Sequence, residues 1–299
     1  MRTLVTGGTG FIGQLLCPRL SGAGHEVVIL SRQSNPRLPR GALRAVSSLD
    51  ELDVNEFGGV INLAGAPIAD LRWTPARKRL LFDSRIGTTA KLVEWLGDAR
   101  GSPPALVSAS AVGYYGAQGD EPVVETTPPG TGFAHELCVA WEREAMQAKS
   151  HGARVCLVRV GVVMDAGGGA LDKILPPFKL GLGGRLGSGK HYFPWIHRED
   201  IAAIFQWLLE RPSASGPYNA SAPNPVTNTE FTIALGKALG RPAILPMPAA
   251  AMRLLFGEVA DELLLMSQRV LPRRLLDEGF EFRYPRLEQA LAAIFSQGS

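Results

Sequence analysis

The residues best placed to do chemistry stand at the front of the chain. Thr6 to Gly13 read T-G-G-T-G-F-I-G, with Gly7, Gly10 and Gly13 at a three-residue spacing. A short β-branched run precedes them, and an apolar-periodic stretch follows. Strand, tight turn and helix in that order make an anion cradle. The glycines let the backbone approach a pyrophosphate, and the helix N-terminus turns its amides and dipole toward it. The expected ligand is a dinucleotide. NAD-binding versions place an acid about 20 residues on, for the ribose 2′-hydroxyl, whereas the second strand here ends in Ser31-Arg32. A guanidinium suits a 2′-phosphate through charge and paired hydrogen bonds. The expected cofactor is therefore NADP(H); the alternative for Arg32 is a solvated surface arginine.

Three further sets of residues could act. His197 precedes Arg198-Glu199-Asp200, which reads as a helix start with acids in its first turn. The histidine is either a packed or capping residue, or an acid/base group titrating near neutrality. Arg185, Lys190, Trp195 and Arg198 sit in and after a glycine-rich stretch, where they either face an anionic small-molecule substrate or are ordinary loop residues. Cys17, Cys138 and Cys156 are far apart, in apolar surroundings and without metal-ligand spacing, so buried reduced thiols and no metal site are expected.

The elements that must position these groups alternate. Strands are expected at 3–6, 26–30, 59–63, 105–108 and 154–160, and helices at 11–20, 73–96 and 133–148. Such alternation implies parallel pairing through right-handed crossovers, hence an α/β, doubly wound Rossmann sheet. Residues 1–165 are the expected nucleotide-binding domain, with later strands contributed by 201–222. Residues 166–299 are mainly a smaller substrate lobe, including a helical segment at about 246–296. Beyond Val163 the texture changes to glycine-rich runs at 167–169 and 181–190, a loop-prone stretch at 212–225, and prolines at 242, 246 and 248. A lobe there lies over the carboxyl edge of the sheet, where open α/β folds bind ligands.

The 299 residues are 45% hydrophobic and 20% charged, with a net charge of +3. That is an ordinary globular composition, without the basic runs and interleaved aromatics of a nucleic-acid surface. No stretch has the length of a membrane span, and the N-terminal apolar run is too short for a signal peptide. A cytoplasmic protein is expected, with neither nucleic acid nor membrane as partner.

T-G-G-T-G-F-I-G, Asn62-Leu-Ala-Gly65 and Ser108-Ala-Ser-Ala-Val-Gly-Tyr-Tyr-Gly116 resemble the extended short-chain dehydrogenase/reductases, which epimerise, dehydrate or reduce nucleotide sugars. Gly181-Leu-Gly-Gly184, Phe193-Pro-Trp-Ile-His197 with Asp200, and Gly257-Glu258 through Gln268-Arg-Val-Leu-Pro272 to Gly279-Phe280 are similar to an atypical branch, the epimerase family, with its own small C-terminal domain. The resemblance implies that Gly7, Gly10, Phe11, Ile12 and Gly13 line the pyrophosphate and that Ser31 and Arg32 meet the adenosine phosphate. It places Asn62, Leu63 and Ala64 along adenosine and ribose, and Ser108 with Arg159 to Val162 near the nicotinamide. Arg85 approaches the cofactor from the long helix or pairs with Asp83 on its surface. Relatives often form homodimers through helices at the sheet edge.

In the wider family a serine polarises the substrate oxygen, a tyrosine exchanges its proton, and a lysine four residues later holds the ribose and lowers the tyrosine pKa from about 10. Ser110 matches the serine. Phe133 and Leu137 stand where the tyrosine and lysine should be. Turnover then needs another proton carrier, with Tyr114 the candidate and Tyr115 beside it as a substrate contact; both are otherwise packed loop aromatics. Two functions stay open: an NADP(H)-dependent oxidoreductase or epimerase acting on a small polar substrate of nucleotide-sugar type, or an NADP(H)-binding sensor or interaction protein without turnover.

Overall fold

The structure is a computed structural model describing residues 1–33 and 35–296; Ser34 and the last three positions of the expected lobe lie outside the described residues. It begins with β1 (Arg2–Thr6), whose alternate side chains explain its place. Val5 enters one apolar layer and Leu4 the other, both fully buried, as in a parallel strand covered on both faces. There follow α1 (Gly13–Gly22), β2 (Glu26–Leu30), β3 (Ala42–Val46), β4 (Gly59–Asn62), α2 (Pro75–Phe82), α3 (Thr88–Gly97), β5 (Ala105–Ala111), β6 (Gly119–Val123), α4 (Phe133–Met146) and β7 (Val155–Val160). The second half adds β8 (Val162–Met164), α5 (Gly169–Lys179), β9 (Tyr192–Phe193), β10 (Trp195–His197), α6 (Arg198–Glu210), β11 (Gly216–Ala220), β12 (Val226–Thr227), α7 (Asn228–Leu239), α8 (Ala249–Phe256), β13 (Gln268–Val270), α9 (Arg273–Asp277) and α10 (Leu287–Ser296).

Seven strands form one parallel sheet in the order β11-β7-β5-β4-β1-β2-β3. The fold is the Rossmann-like α/β architecture expected from the alternation. On one face Leu16, Cys17 and Leu20 of α1 and Ile201, Phe205 and Leu208 of α6 pack on Val5, Ile29, Ile61 and Val107. On the other, Leu92, Trp95 and Leu96 of α3 and Ala145 of α4 pack on Leu4, Val28, Val60 and Leu106. Each such aliphatic side chain contributes about 1.5–3 kcal/mol when fully buried. A third apolar cluster, around Leu175, Trp195, Phe231 and Leu291, forms the core of the lobe.

The helix expected at 73–96 is two helices joined by a π turn at Asp83–Gly87. Its start moves to Pro75 because Thr74 caps it, accepting from the Arg77 amide at 3.2 Å, and proline suits the first helical position. The loop-prone stretch at 212–225 contains β11, an edge strand whose Pro217 needs no ladder donor. From the lobe, β13 crosses back to pair in parallel with β6. No helix among the described residues is long and apolar enough to cross a membrane.

Candidate functional site

The glycine turn leaves β1 at the carboxyl edge and enters α1. Gly7 has φ +67°, and a Cβ there would lie 2.8 Å from the Leu63 carbonyl oxygen at the end of β4. A Cβ on Gly13 would lie 2.4 Å from the Gly8 oxygen. Both positions therefore admit only glycine without displacing backbone. The Gly10 amide donates to Gly7 at 2.9 Å, while the amides of Phe11, Ile12 and Gly13 have no protein acceptor among the described residues and α1 has no side-chain cap. Three donors at a positive helix end fit a pyrophosphate. The Phe11 ring is otherwise engaged: the Arg198 guanidinium lies 4.3 Å from its centroid, Arg198 Nε donates to its carbonyl at 2.6 Å, and Gly168 and Gly169 pack on the ring. What Phe11 offers a ligand is its backbone.

Ser31 accepts from the Gln33 amide at 3.2 Å, and Arg32 is exposed with no side-chain partner among the described residues. Arg37 and Arg40 are exposed on the same β2–β3 connection. This arrangement suits an adenosine phosphate.

Further inward the geometry departs from the expected contacts. Asn62 is fully buried: its side-chain oxygen accepts from Thr6 Oγ1 at 2.7 Å, and its amide donates to Thr89 Oγ1 at 2.9 Å and Ser108 Oγ at 3.2 Å. Asn62 and Ser108 thus clamp β1, β4, α3 and β5 together, so a cofactor passing here meets the backbone of Leu63 and Ala64 instead of those side chains. Val162 is half-buried, its amide already donated to Pro194 at 2.6 Å.

Arg85 sits on the π turn. It donates to the Ala66 carbonyl at 3.0 Å and the Leu81 carbonyl at 3.3 Å, lies over Trp141 and packs against Gly65. The surface pair with Asp83 is not formed, and no carboxylate faces Arg85 among the described residues. Burial pushes its pKa down to about 10. A cation without a counter-charge at the end of β4 is suited to an anionic ligand.

The dyad positions are filled and sealed. Phe133 and Leu137 are 6% and 1% exposed, in a cluster with Trp73, Leu81 and Val259. Trp73 meets the Phe133 ring edge-on at 4.7 Å, and Lys78 Nζ sits 4.5 Å above it while pairing with Glu258 at 2.7 Å. Glu262 accepts from the amides of Phe133 and Ala134 at 3.0 and 2.7 Å, so a carboxylate of the C-terminal segment caps α4.

Ser110, expected as the polarising hydroxyl, is 3% exposed and donates its proton to Glu142 at 2.7 Å. Glu142 is held by Arg159 at 2.8 and 2.9 Å. Arg159 also donates to the Tyr115 hydroxyl at 2.8 Å, and Tyr115 donates to Asn219 at 2.6 Å. Burial works to lower the Arg159 pKa, but the Glu142 hydrogen bonds and charge outweigh it and raise it; burial pushes the Tyr115 phenol up to about 12. The expected ligand contacts of Ser110, Tyr115 and Arg159 are corrected accordingly: their polar atoms are spent on one another inside the protein. Trp195 is likewise 1% exposed, in the lobe core, and Arg185 is exposed, donating to Ser188 at 3.1 Å. Tyr114 differs. It is half-buried, its ring is stacked on the Arg159 guanidinium at 3.4 Å, and its hydroxyl has no partner among the described residues.

His197 takes its structural role. It caps α6 through Nδ1, which accepts from the Glu199 amide at 3.1 Å, and stacks on Tyr284 at 3.9 Å; burial lowers its pKa. The three cysteines are buried free thiols, Cys17 and Cys138 pushed up to about 12 and Cys156 to about 11 by burial. Glu142 was missed in the sequence. Its signal was an acid on the apolar stripe Cys138, Glu142, Ala145 of α4.

Residues 3–221 match the model of the NAD dependent epimerase/dehydratase family, and 247–294 match a domain of unknown function. The Mycobacterium bovis epimerase family protein Mb2239 is 42% identical over 288 residues, 96% of this chain and 95% of that protein. The mouse epimerase family protein SDR39U1 is 41% identical over 298 residues, covering 98% and 99%. A crystal structure of human epimerase family protein SDR39U1 (isoform 2) with NADPH superposes with a TM-score of 0.88 at 38% identity, over 99% of both chains. With a matching family model over most of its length and relatives like these, the chain belongs to the NAD dependent epimerase/dehydratase family, carrying the C-terminal domain of unknown function.

Proposed function

We propose that this protein binds NADP(H) at the carboxyl edge of its sheet and works as an atypical oxidoreductase or epimerase on a small polar substrate. The observation that carries the reading is the set of unpaired amides at Phe11, Ile12 and Gly13, with Arg32 unpartnered and exposed at the end of β2. The human relative crystallised with NADPH supports the choice of dinucleotide. The turn amides hold the pyrophosphate, Arg32 the 2′-phosphate, and Arg85 adds a positive charge where β4 ends. The bound nicotinamide supplies or accepts a hydride. Tyr114 is the phenol with a free hydroxyl on the loop, and it carries the proton.

A second reading, a cofactor-binding module without turnover, is favoured by the sealed dyad positions and by the commitment of the Ser110 proton to Glu142. Calorimetry separates cofactor from chemistry. NADP(H) should bind more tightly than NAD(H), and Arg32→Ala should shrink that preference about tenfold or more, the equivalent of a charge-assisted hydrogen bond of about 1.5–3 kcal/mol. Equal affinities in the wild type would overturn the assignment. A substrate screen with Tyr114→Phe then decides between the readings: turnover lost in the variant supports the first, and cofactor binding without turnover in the wild type supports the second.

A further inference from the structure

The exposed large hydrophobic side chains are not scattered. Among the described residues they concentrate on the lobe and on the loop after β4: Leu71, Leu180, Leu182, Ile244, Leu254 and Leu255 are 56–78% exposed. Chain connections join them into one surface. The Leu245 amide donates to Gly183 at 3.1 Å and the Met247 amide to Arg185 at 2.9 Å, so the segments bearing Ile244 and Leu182 run side by side. Helix α8 begins two residues beyond Met247, and at its far end Arg72 donates to the Leu254 carbonyl at 2.9 Å, bringing Leu71 alongside.

Exposure this high belongs to a flat or protruding face, whereas a small-molecule site wraps its ligand in concave walls. At roughly 180 Å² per fully exposed side chain of this size, the six leave roughly 700 Å² of apolar surface, above the largest patch of a typical monomer at about 300–600 Å². A standard interface buries about 800 Å² per partner. The charges at the α8 end are already satisfied within the chain: Arg253 pairs with Asp261 at 2.9 Å, and Asp70 pairs with Lys173. Such a face has little charge left with which to select a foreign partner, and it is complementary to itself. The outer faces of α3 and α4 contribute no exposed large hydrophobic side chain among the described residues.

We propose that two copies of this chain associate through the lobe face formed by the 180–182 segment, the 244–256 segment and Leu71. Sedimentation velocity on the full chain across the micromolar range tests this, with the double variant Ile244→Glu/Leu254→Glu and, as a control on α3, Lys91→Glu/Glu94→Lys. The wild type should approach twice the 32.0 kDa chain mass. The lobe variant should associate about a hundredfold more weakly, the effect of losing central contacts, while keeping the wild-type circular dichroism spectrum and NADPH affinity. The α3 variant should dimerise like the wild type. A wild type that stays monomeric throughout, or a dimer that survives the lobe substitutions and is lost with the α3 pair, overturns the proposal.

Discussion

Putting the missing lysine back is the sharpest test of the sealed dyad. Leu137 is 1% exposed, between Leu81, Phe133 and Val259. A lysine there must either lose its proton or drag water into the cluster. Staying buried and neutral costs about 1.4 kcal/mol for each pH unit between its free pKa, near 10.4, and the working pH, or roughly 4–5 kcal/mol at pH 7. The sign follows from the lowered folded pKa. The unfolded chain holds the proton that the folded one has lost, so the variant recovers as pH rises, and the deficit narrows to roughly 2 kcal/mol at pH 9. Urea unfolding of wild type and Leu137→Lys at the two pH values measures this directly. Phe133→Tyr adds a hydroxyl beneath Trp73 and Lys78 and should cost about 1–3 kcal/mol if it finds no partner. Neither variant should gain activity on nucleotide sugars. A Leu137→Lys protein within about 1 kcal/mol of wild type at pH 7, or one that starts oxidising such a sugar, would refute the argument that this position has become core.

Other expectations can be checked alongside. Glu142→Gln strips the buried Arg159 of its counter-charge and should lower stability by about 3–5 kcal/mol in urea unfolding, whereas Ser110→Ala removes one neutral partner and should cost about 1 kcal/mol; equal losses would mean that Arg159 is satisfied elsewhere. Glu262→Ala frees two amides at the start of α4 and should cost about 0.5–2 kcal/mol, with faster hydrogen exchange at Phe133 and Ala134. His191 and His197 both have pKa values lowered by burial. The unfolded chain therefore takes up their protons first, and stability should fall as pH drops from about 7 toward 5.5. His197→Asn, which keeps a capping acceptor, should flatten that slope, and an unchanged slope would remove His197 from its cause.

The sheet was legible because its central strands are continuous apolar runs ended by glycine or polar residues, and the nucleotide turn because its glycine spacing has a direct steric meaning. The short strands β8 to β10 and β12 were not legible. They are two or three residues long, and their pairing depends on partners distant in sequence, so no periodicity can develop. The site divides the same way. Gly7, Gly13 and Arg32 act through local geometry and exposure, both of which leave a mark in sequence. Ser110 and Tyr115 match a motif, yet what their hydroxyls do is fixed by Glu142, Arg159 and Asn219, brought in by α4, β7 and β11. Phe133 and Leu137 were read as an absence. Only the packing of Trp73, Lys78 and the 258–263 segment around them turns that absence into a built apolar joint.

The π turn at Asp83–Gly87 sets helical phase. A π turn holds one residue more than an α turn, and each residue advances the helix by about 100°. Upstream, α2 lays Leu81 against Phe133; downstream, α3 lays Leu92, Val93, Trp95 and Leu96 against the sheet. An uninterrupted α-helix of one residue less would rotate one stripe out of register with its partner and swing Arg85 away from Gly65. Chain length at this single turn is therefore part of what the fold specifies: a deletion here changes no side-chain chemistry, yet it detunes the apolar joint, the sheet cover and the cofactor-side cation together.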